Sequence, residues 1–264
     1  MTHTTKPVVL CFSGHDPSGG AGIQADIETI ISHQSHATSV ITTITEQDTH
    51  NVKKMLPQSA EAIISQARTI LEDLPVKAIK IGLMGRVETV EAIHTILSEY
   101  STIPVILDPV LAAGGGSSLS SDALIDSIIE LLLPRTTILT PNSVEARQIA
   151  KTDDLELSGT RLLELGCKYV LITGAHEQTD AVSNKLYHQG ECIETYSWDR
   201  LPQSYHGSGC TLASSIASLL AHGLEIKTCM MEAQEYTWNC LNAGYQLSSG
   251  QFLPNRLFWM HDHN

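Results

Sequence analysis

The sequence predicts an α/β domain built on a central, mostly parallel sheet. Three observations predict it. Short aliphatic or β-branched runs alternate with helical patterns from residue 8 to residue 172, the rhythm of βαβ units. The 264-residue chain is 42% hydrophobic but only 5% aromatic, so its core must come from Ile, Leu, Val and Ala, as in strands buried on both faces. Several strand runs end in Gly, Pro, Asn or Asp, the residues that punctuate regular elements. A single domain over residues 1–264 is expected, since no linker, repeat or low-complexity segment divides the chain.

The elements follow in order. Val8–Phe12 reads as a strand running into a Gly-rich loop, then Ala21–His33 as a helix. Thr38–Ile44 is β-branched and strand-like, and Gln58–Leu74 is helical. Val76–Ile81 is a strand, Val87–Tyr100 a helix, and Pro104–Leu107 a short strand closed by Asp108-Pro109. Ser121–Leu133 is a helix and Thr137–Leu139 a strand closed by Thr140-Pro141-Asn142. Ser143–Ala150 starts another helix, and Gly159–Leu165 belongs to a further one. Tyr169–Ile172 is a strand before Thr173-Gly174. Lys185–His188 and Cys192–Trp198 form a hairpin around Gln189-Gly190. Two long helical patterns, Thr211–His222 and Ile226–Leu247, precede a weakly patterned tail, Gln251–Asn264. Ligands of open parallel sheets bind beyond the carboxyl ends of the strands. Ser13-Gly14-His15-Asp16, Asp108-Pro109, Pro141-Asn142 and Thr173-Gly174 should therefore share one edge.

Charge and cysteines narrow the function. The chain carries 16 Lys and Arg against 29 Asp and Glu, a formal charge of −13. No basic patch for nucleic acid or for an anionic membrane is visible. Apolar runs such as Ile128–Leu133 are far too short to span a bilayer. Met1–Lys6 leads straight into a strand without the pattern of a secretory leader, so a cytoplasmic location is expected. The six cysteines form no C-x-x-C pair and, Cys210 apart, read as buried reduced thiols. His33 with His36, and His261 with His263, read as surface residues rather than metal pairs.

Two motifs carry chemistry. In Tyr205-His-Gly-Ser-Gly-Cys210-Thr211 two glycines free the backbone just before a helix starts. The first amides of that helix lack internal partners and face the positive end of its dipole, which suits phosphate. Cys210 places a titratable thiol in this nest, where a thiolate is expected, and the pairing suggests phosphoryl transfer. The second motif is Ser13-Gly14-His-Asp-Pro-Ser-Gly-Gly-Ala-Gly-Ile-Gln-Ala-Asp26. It is neither Gly-x-Gly-x-x-Gly nor a Walker A loop. Asp26, one turn into the following helix, either reaches a ligand hydroxyl or complements the helix dipole. Asn142 and Glu145 share a helical face and read as a capping box, as hard-oxygen neighbours of hydrated Mg²⁺, or as both. With few basic residues, amide nests and Mg²⁺ are the available means of neutralising a phosphate ligand.

With these pieces the chain resembles the hydroxymethylpyrimidine and phosphomethylpyrimidine kinases of thiamine biosynthesis, in the ribokinase-like superfamily. The matching segments are Gly14–Asp26, Ser39-Val-Ile-Thr42, Gln47-Asp-Thr49, Lys80-Ile-Gly82, Leu107-Asp-Pro-Val110, Leu139-Thr-Pro-Asn142 with Glu145, and His206–Thr211. The tail Gly250–Trp259 also resembles that of some members. The resemblance implies a three-layer α/β/α sandwich, ATP and Mg²⁺ as cofactors, and a homodimer. It implies that Gln47 pairs with the pyrimidine, that Asp26 lies near its hydroxymethyl group, and that Gly14 and Met84 line the pocket. Asn142, Glu145, Thr173 and Asp108 would lie at the nucleotide, with Glu145 near Mg²⁺ through water. Gly207, Ser208, Gly209 and Cys210 would form the anion hole, with Cys210 where sugar kinases of the superfamily carry an aspartate base.

The chain departs from the family in four places. Thr173-Gly-Ala-His176 lacks a lysine that many members carry. Gly82-Leu-Met-Gly85 replaces the common Gly-Met-Leu order, which bears on the Met84 assignment. Ala112–Ser118 lacks another lysine, and Lys151–Gly159 is short. Two other functions compete: a pyridoxal kinase of the same superfamily, and a non-catalytic pyrimidine sensor with a decayed nucleotide site. Gln47 favours the pyrimidine, because one amide satisfies both a donor and an acceptor on an aminopyrimidine edge.

Overall fold

The computed structural model describes residues 6–112 and 119–261. The lysine-free segment 113–118, His263 and most of the leading Met1–Lys6 lie outside the described residues. Among the described residues nine strands form one sheet: β1 (Val8–His15), β2 (His36–Gln47), β3 (Val52–Pro57), β4 (Val76–Ile81), β5 (Val105–Leu107), β6 (Ile138–Leu139), β7 (Tyr169–Ile172), β8 (Ala181–His188) and β9 (Glu191–Asp199). Their order is β3-β2-β1-β4-β5-β6-β7-β8-β9. The six strands from β2 to β7 run parallel, while β3, β8 and β9 pair antiparallel at the two sides.

Helices cover both faces. Val8, Leu10 and Phe12 of β1 point into one core with α2 (Ala60–Asp73), α3 (Val87–Glu99), α4 (Asp122–Ser127), α5 (Ser143–Ala150) and α6 (Leu155–Glu164). The alternate residues Val9 and Cys11 point into the other, with α1 (Gly22–Ser32), α7 (Ser208–Ala221) and α8 (Ile226–Asn242). That period of two, apolar on both sides, is the mark of a sheet sandwiched between helices. Strand order reverses at β1, which has β2 on one side and β4 on the other. Such a switch point opens a crevice beyond the strand ends.

Several boundaries differ from expectation. β3 is an added strand, paired antiparallel with β2 and half-exposed, with Lys53 and Lys54 in it; its polarity hides it. β8 starts at Ala181 rather than at Lys185. α6 starts at Leu155, because Asp154 accepts from the amides of Glu156 and Leu157 as an N-cap. The expected helix 121–133 is α4, then a widened π turn Ile128–Leu132 and a 3₁₀ turn at Leu133–Arg135, where Pro134 removes a donor. α8 stops at Asn242, and Tyr245 pairs instead with Leu253 of the tail. His36 is exposed, but His33 is turned inward, with Nε2 2.7 Å from Ser215 Oγ. Burial and the nearby His222 push His33 down to about 4. All six thiols are free, and Cys192 is exposed rather than buried.

Candidate active site

The expected edge exists. β1, β4, β5, β6 and β7 end side by side, bringing Ser13–Asp16, Lys80–Gly82, Asp108, Thr140–Asn142 and Thr173 together. The start of α7 closes this edge from above. Gly207 is its N-cap at φ +83°, no side chain caps the helix, and Gly209 is exposed with Ser208 and Cys210 half-buried. The first amides of α7 therefore face the crevice with the dipole behind them. Only glycine serves at 207: a Cβ there would lie 2.0 Å from Gly20 O.

An acidic pair faces this nest. A Cβ on Gly209 would sit 3.4 Å from Asp108 Oδ2, so the Asp108 carboxylate lies against the helix start. Burial raises Asp108 to about 6; Asp26 adds to the rise and Lys80 opposes it. Glu145 is pushed higher still, to about 8, by burial and by Asp108. The capping box at α5 is complete: Asn142 Oδ1 accepts from the amides of Val144 and Glu145, and Glu145 Oε2 accepts from Asn142 N at 3.0 Å. Glu145 Oε1 also accepts from Leu111 N at 3.2 Å, which ties α5 to the strand that carries Asp108.

Beneath the nest lies a closed polar cluster. Asp26 is fully buried; its oxygens accept from Lys80 Nζ at 2.9 and 3.1 Å, from Ser214 Oγ at 2.7 Å, and from Ser13 Oγ. Burial alone would lower the Lys80 pKa, but Asp26 and the groups around it hold it raised. Asp26 is thus saturated and without exposed surface, in place of a carboxylate open to a substrate hydroxyl. Cys210 departs from expectation as well. Burial pushes its thiol up to about 11, outweighing Lys80, so the free protein holds a thiol and not a thiolate.

The other side of the crevice is built from β1 and β2. His206 Nε2 lies 2.8 Å from both Asp16 Oδ2 and the Gln47 amide. Gln47 Nε2 faces His206 Nε2 and Gln47 Oε1 faces Thr45 Oγ1 at 3.1 Å; turning the amide over would let its oxygen accept from the His206 Nε2–H that Asp16 also accepts, and its nitrogen donate to Thr45 Oγ1. Thr45 then keeps its single proton for His15 O at 2.9 Å. Burial raises Asp16, yet hydrogen bonds from His206 and Ser18 bring it below the ordinary carboxylate value. Gly14 is buried at the end of β1, where a Cβ would meet Leu83 Cδ2 at 3.0 Å and Thr43 Cγ2 at 3.2 Å. Met84 instead sits in the core at 2% exposure. Leu83 is therefore the side chain beside Gly14, one position from the expected Met84. Thr173 is half-buried, and its backbone is bridged to Asn142 and Ser143.

Sequence reasoning gave no role to Lys80, His206 or Arg256. A lysine between Ile79 and Ile81 was itself a signal of a buried ion pair. His206 stood inside a motif but without a partner in view. Arg256 stood in a tail with no periodicity.

The match to known proteins follows this geometry. The profile described as phosphomethylpyrimidine kinase matches residues 16–255. The chain belongs to the phosphomethylpyrimidine kinase family. It is 34% identical over 252 residues to a hydroxymethylpyrimidine/phosphomethylpyrimidine kinase of Streptomyces coelicolor, covering 93% of each chain. The crystal structure of phosphomethylpyrimidine kinase from Clostridium difficile 630 is similar at 32% identity and TM-score 0.79, over 89% of this chain and all of that one. An ADP complex of Bacillus subtilis pyridoxal kinase superimposes with TM-score 0.88 at 26% identity, covering 97% of this chain and 99% of that one. The fold is the ribokinase-like three-layer sandwich, and the chain is a phosphotransferase of this kinase family. No helix among the described residues is long and apolar enough to cross a membrane.

Proposed function

We propose that this kinase moves the γ-phosphoryl group of ATP to the hydroxymethyl oxygen of hydroxymethylpyrimidine, and then a second one to the monophosphate. The observation that carries the reading is Asp108 set against the open start of α7, with Glu145 held behind it. Phosphate oxygens would lie on the amides of Ser208, Gly209 and Cys210, and Gln47 would hold the pyrimidine edge. Asn142 and Thr173 would line the nucleotide side.

Two carboxylates raised above their ordinary values chiefly by burial fit a divalent cation, whose charge would favour their ionised forms. Among the described residues no cluster of three or more His, Cys, Asp or Glu stands ready for a metal. Mg²⁺ keeps several waters and takes phosphate oxygens as ligands, so a site for it uses few protein oxygens. Asp108 and, through water, Glu145 would hold it, and it would neutralise charge on the transferring group.

In the first transfer the alcohol oxygen forms a bond to the γ-phosphorus, the bond to the ADP oxygen breaks, and the alcohol loses its proton. Asp26 has no free oxygen to take it, and the thiolate fraction of Cys210 is assigned as the base. In the second transfer the acceptor is already an anion, and the residues need only position it. The test is ADP release with the free pyrimidine and then with its monophosphate. Cys210→Ala should slow the first transfer more than the second; equal losses would remove the base assignment.

The pyridoxal kinase alternative rests on the closer superposition with the Bacillus subtilis enzyme, and side-by-side assay with pyridoxal separates the two. A homodimer belongs to this proposal, supported by Ile44 and Leu56, which pair across β2 and β3 with 41% of each exposed. A cytoplasmic location does too, supported by six unpaired thiols.

A further inference from the structure

Arg256 lies in the C-terminal tail, far from the motifs in sequence, and only 2% of it is exposed. Its guanidinium reaches three separate elements. Nη2 donates to Gly20 O at 2.5 Å, in the loop between β1 and α1. Nε donates to Thr211 Oγ1 at 2.9 Å, in the first turn of α7. Nη1 donates to Glu28 Oε2 at 3.1 Å, on α1. Thr211 Oγ1 in turn donates to Gly207 O at 2.9 Å, so the contact passes on to the cap of the phosphate nest. The tail around it is laid down firmly. His206 N donates to Phe252 O, Asn255 N to Cys240 O, and Tyr236 Oη to Arg256 O. A Cβ on Gly20 would meet His206 at 2.5 Å and Leu253 at 2.7 Å, so the tail lies directly over this loop.

A buried guanidinium beside a helix N-terminus is costly, because the dipole there is already positive. Among the described residues Glu28 is its only carboxylate partner, and it is itself one-third exposed. A planar fork with fixed donors is what such a three-way junction needs, and lysine cannot supply it. We infer that Arg256 is a positioning residue: it locks the Gly19–Ala21 loop to the start of α7, and so sets the distance between the acceptor alcohol and the amides that grip the phosphoryl group. Its charge also adds to the positive field of a site with few basic residues. This inference rests on the phosphoryl-transfer reading above for its effect on rate, but not for its effect on the two loops.

The experiment compares the wild-type full chain with Arg256→Lys and Arg256→Gln. Small misplacements of reacting groups cost up to about a hundredfold in rate, so both variants should lose about tenfold or more in kcat for ADP release. The KM values for ATP and pyrimidine should change little, and the loss in Arg256→Lys should persist in samples matched for folded protein. Hydrogen exchange gives the second readout. The amides of Gly19, Ala21 and Thr211, each bonded in the intact protein, should exchange faster together, while Ile79 and Asp108 in the sheet stay protected. Unchanged kcat per folded molecule in Arg256→Lys, or faster exchange in one loop alone, overturns the inference. If the wild type releases no ADP, the phosphoryl-transfer reading fails instead, and the exchange pattern alone decides the role of Arg256.

Discussion

Lys80 Nζ lies 2.9 Å from Asp26 Oδ1, and neither side chain has any exposed surface. The pair sits under the phosphate nest and also binds Ser13 and Ser214. Removing one partner strands the other as an uncompensated buried charge. Lys80→Met should therefore cost about 3–5 kcal/mol of unfolding free energy. Adding Asp26→Leu to it should recover much of that loss. Urea denaturation of the three proteins checks this, and a double variant less stable than Lys80→Met would refute it.

Glu145 and Asp108 predict how the ligand-free protein responds to pH. Their folded values, about 8 and about 6, lie above the ordinary carboxylate range. A carboxyl with a raised folded pKa contributes stability that is full below its unfolded pKa and is lost as pH rises through the folded one. Stability from this pair should fall between about pH 4 and pH 8. Glu145→Gln keeps one of the two backbone hydrogen bonds that the carboxylate accepts and has no charge to gain, so its own melting temperature should fall less than that of wild type between about pH 4 and pH 8. Each kcal/mol is worth roughly 2–4 °C for a domain of this size. Mg²⁺ should raise the wild-type melting temperature at pH 8, and raise that of Glu145→Gln by less, since Asp108 remains.

Cys210 predicts a pH profile. Its thiol is pushed up to about 11 in the free protein. As the base of the first transfer, its reactive fraction grows up to about tenfold per pH unit below that value. The rate of the first transfer should rise through pH 7 to 9, and the second should stay flat. Identical profiles for both acceptors would show that Cys210 does not take the alcohol proton.

Gln47 predicts specificity. A pyrimidine must displace the His206 and Thr45 contacts that occupy the amide. Gln47→Leu loses both hydrogen bonds to an aminopyrimidine and should raise its KM roughly tenfold to a hundredfold. Gln47→Glu keeps an acceptor for His206 but lacks a donor, and should fail similarly. Pyridoxal turnover that fell in parallel would mean that Gln47 does not discriminate the two rings.

Much of this was legible beforehand. The short aliphatic runs alternating with helical patterns, and their Gly, Pro and Asp stops, predict the parallel sheet and the edge where its strands end, because those signals are local. The glycines of 207–209 announced the start of α7 for the same reason. What stayed hidden depends on contacts far apart in sequence. β3 is polar because it lies at the side of the sheet. Asp26 looked available because its partners, Lys80 and Ser214, come from β4 and α7. Cys210 looked like a thiolate because the dipole is visible in sequence and burial is not. Leu83 and Met84 are neighbours in an irregular segment, and only the folded chain shows that Met84 enters the core while Leu83 lies beside Gly14.

The contact of Gly20 O with Gly207 has a consequence for evolution and for engineering. The Gly20 carbonyl leaves no room for a methyl group at Gly207, and the His206 and Leu253 side chains crowd one at Gly20. Neither can drift independently of the other. Chimeras that import one segment from a relative should be inactive, and those that import both, with the matching tail, should retain turnover.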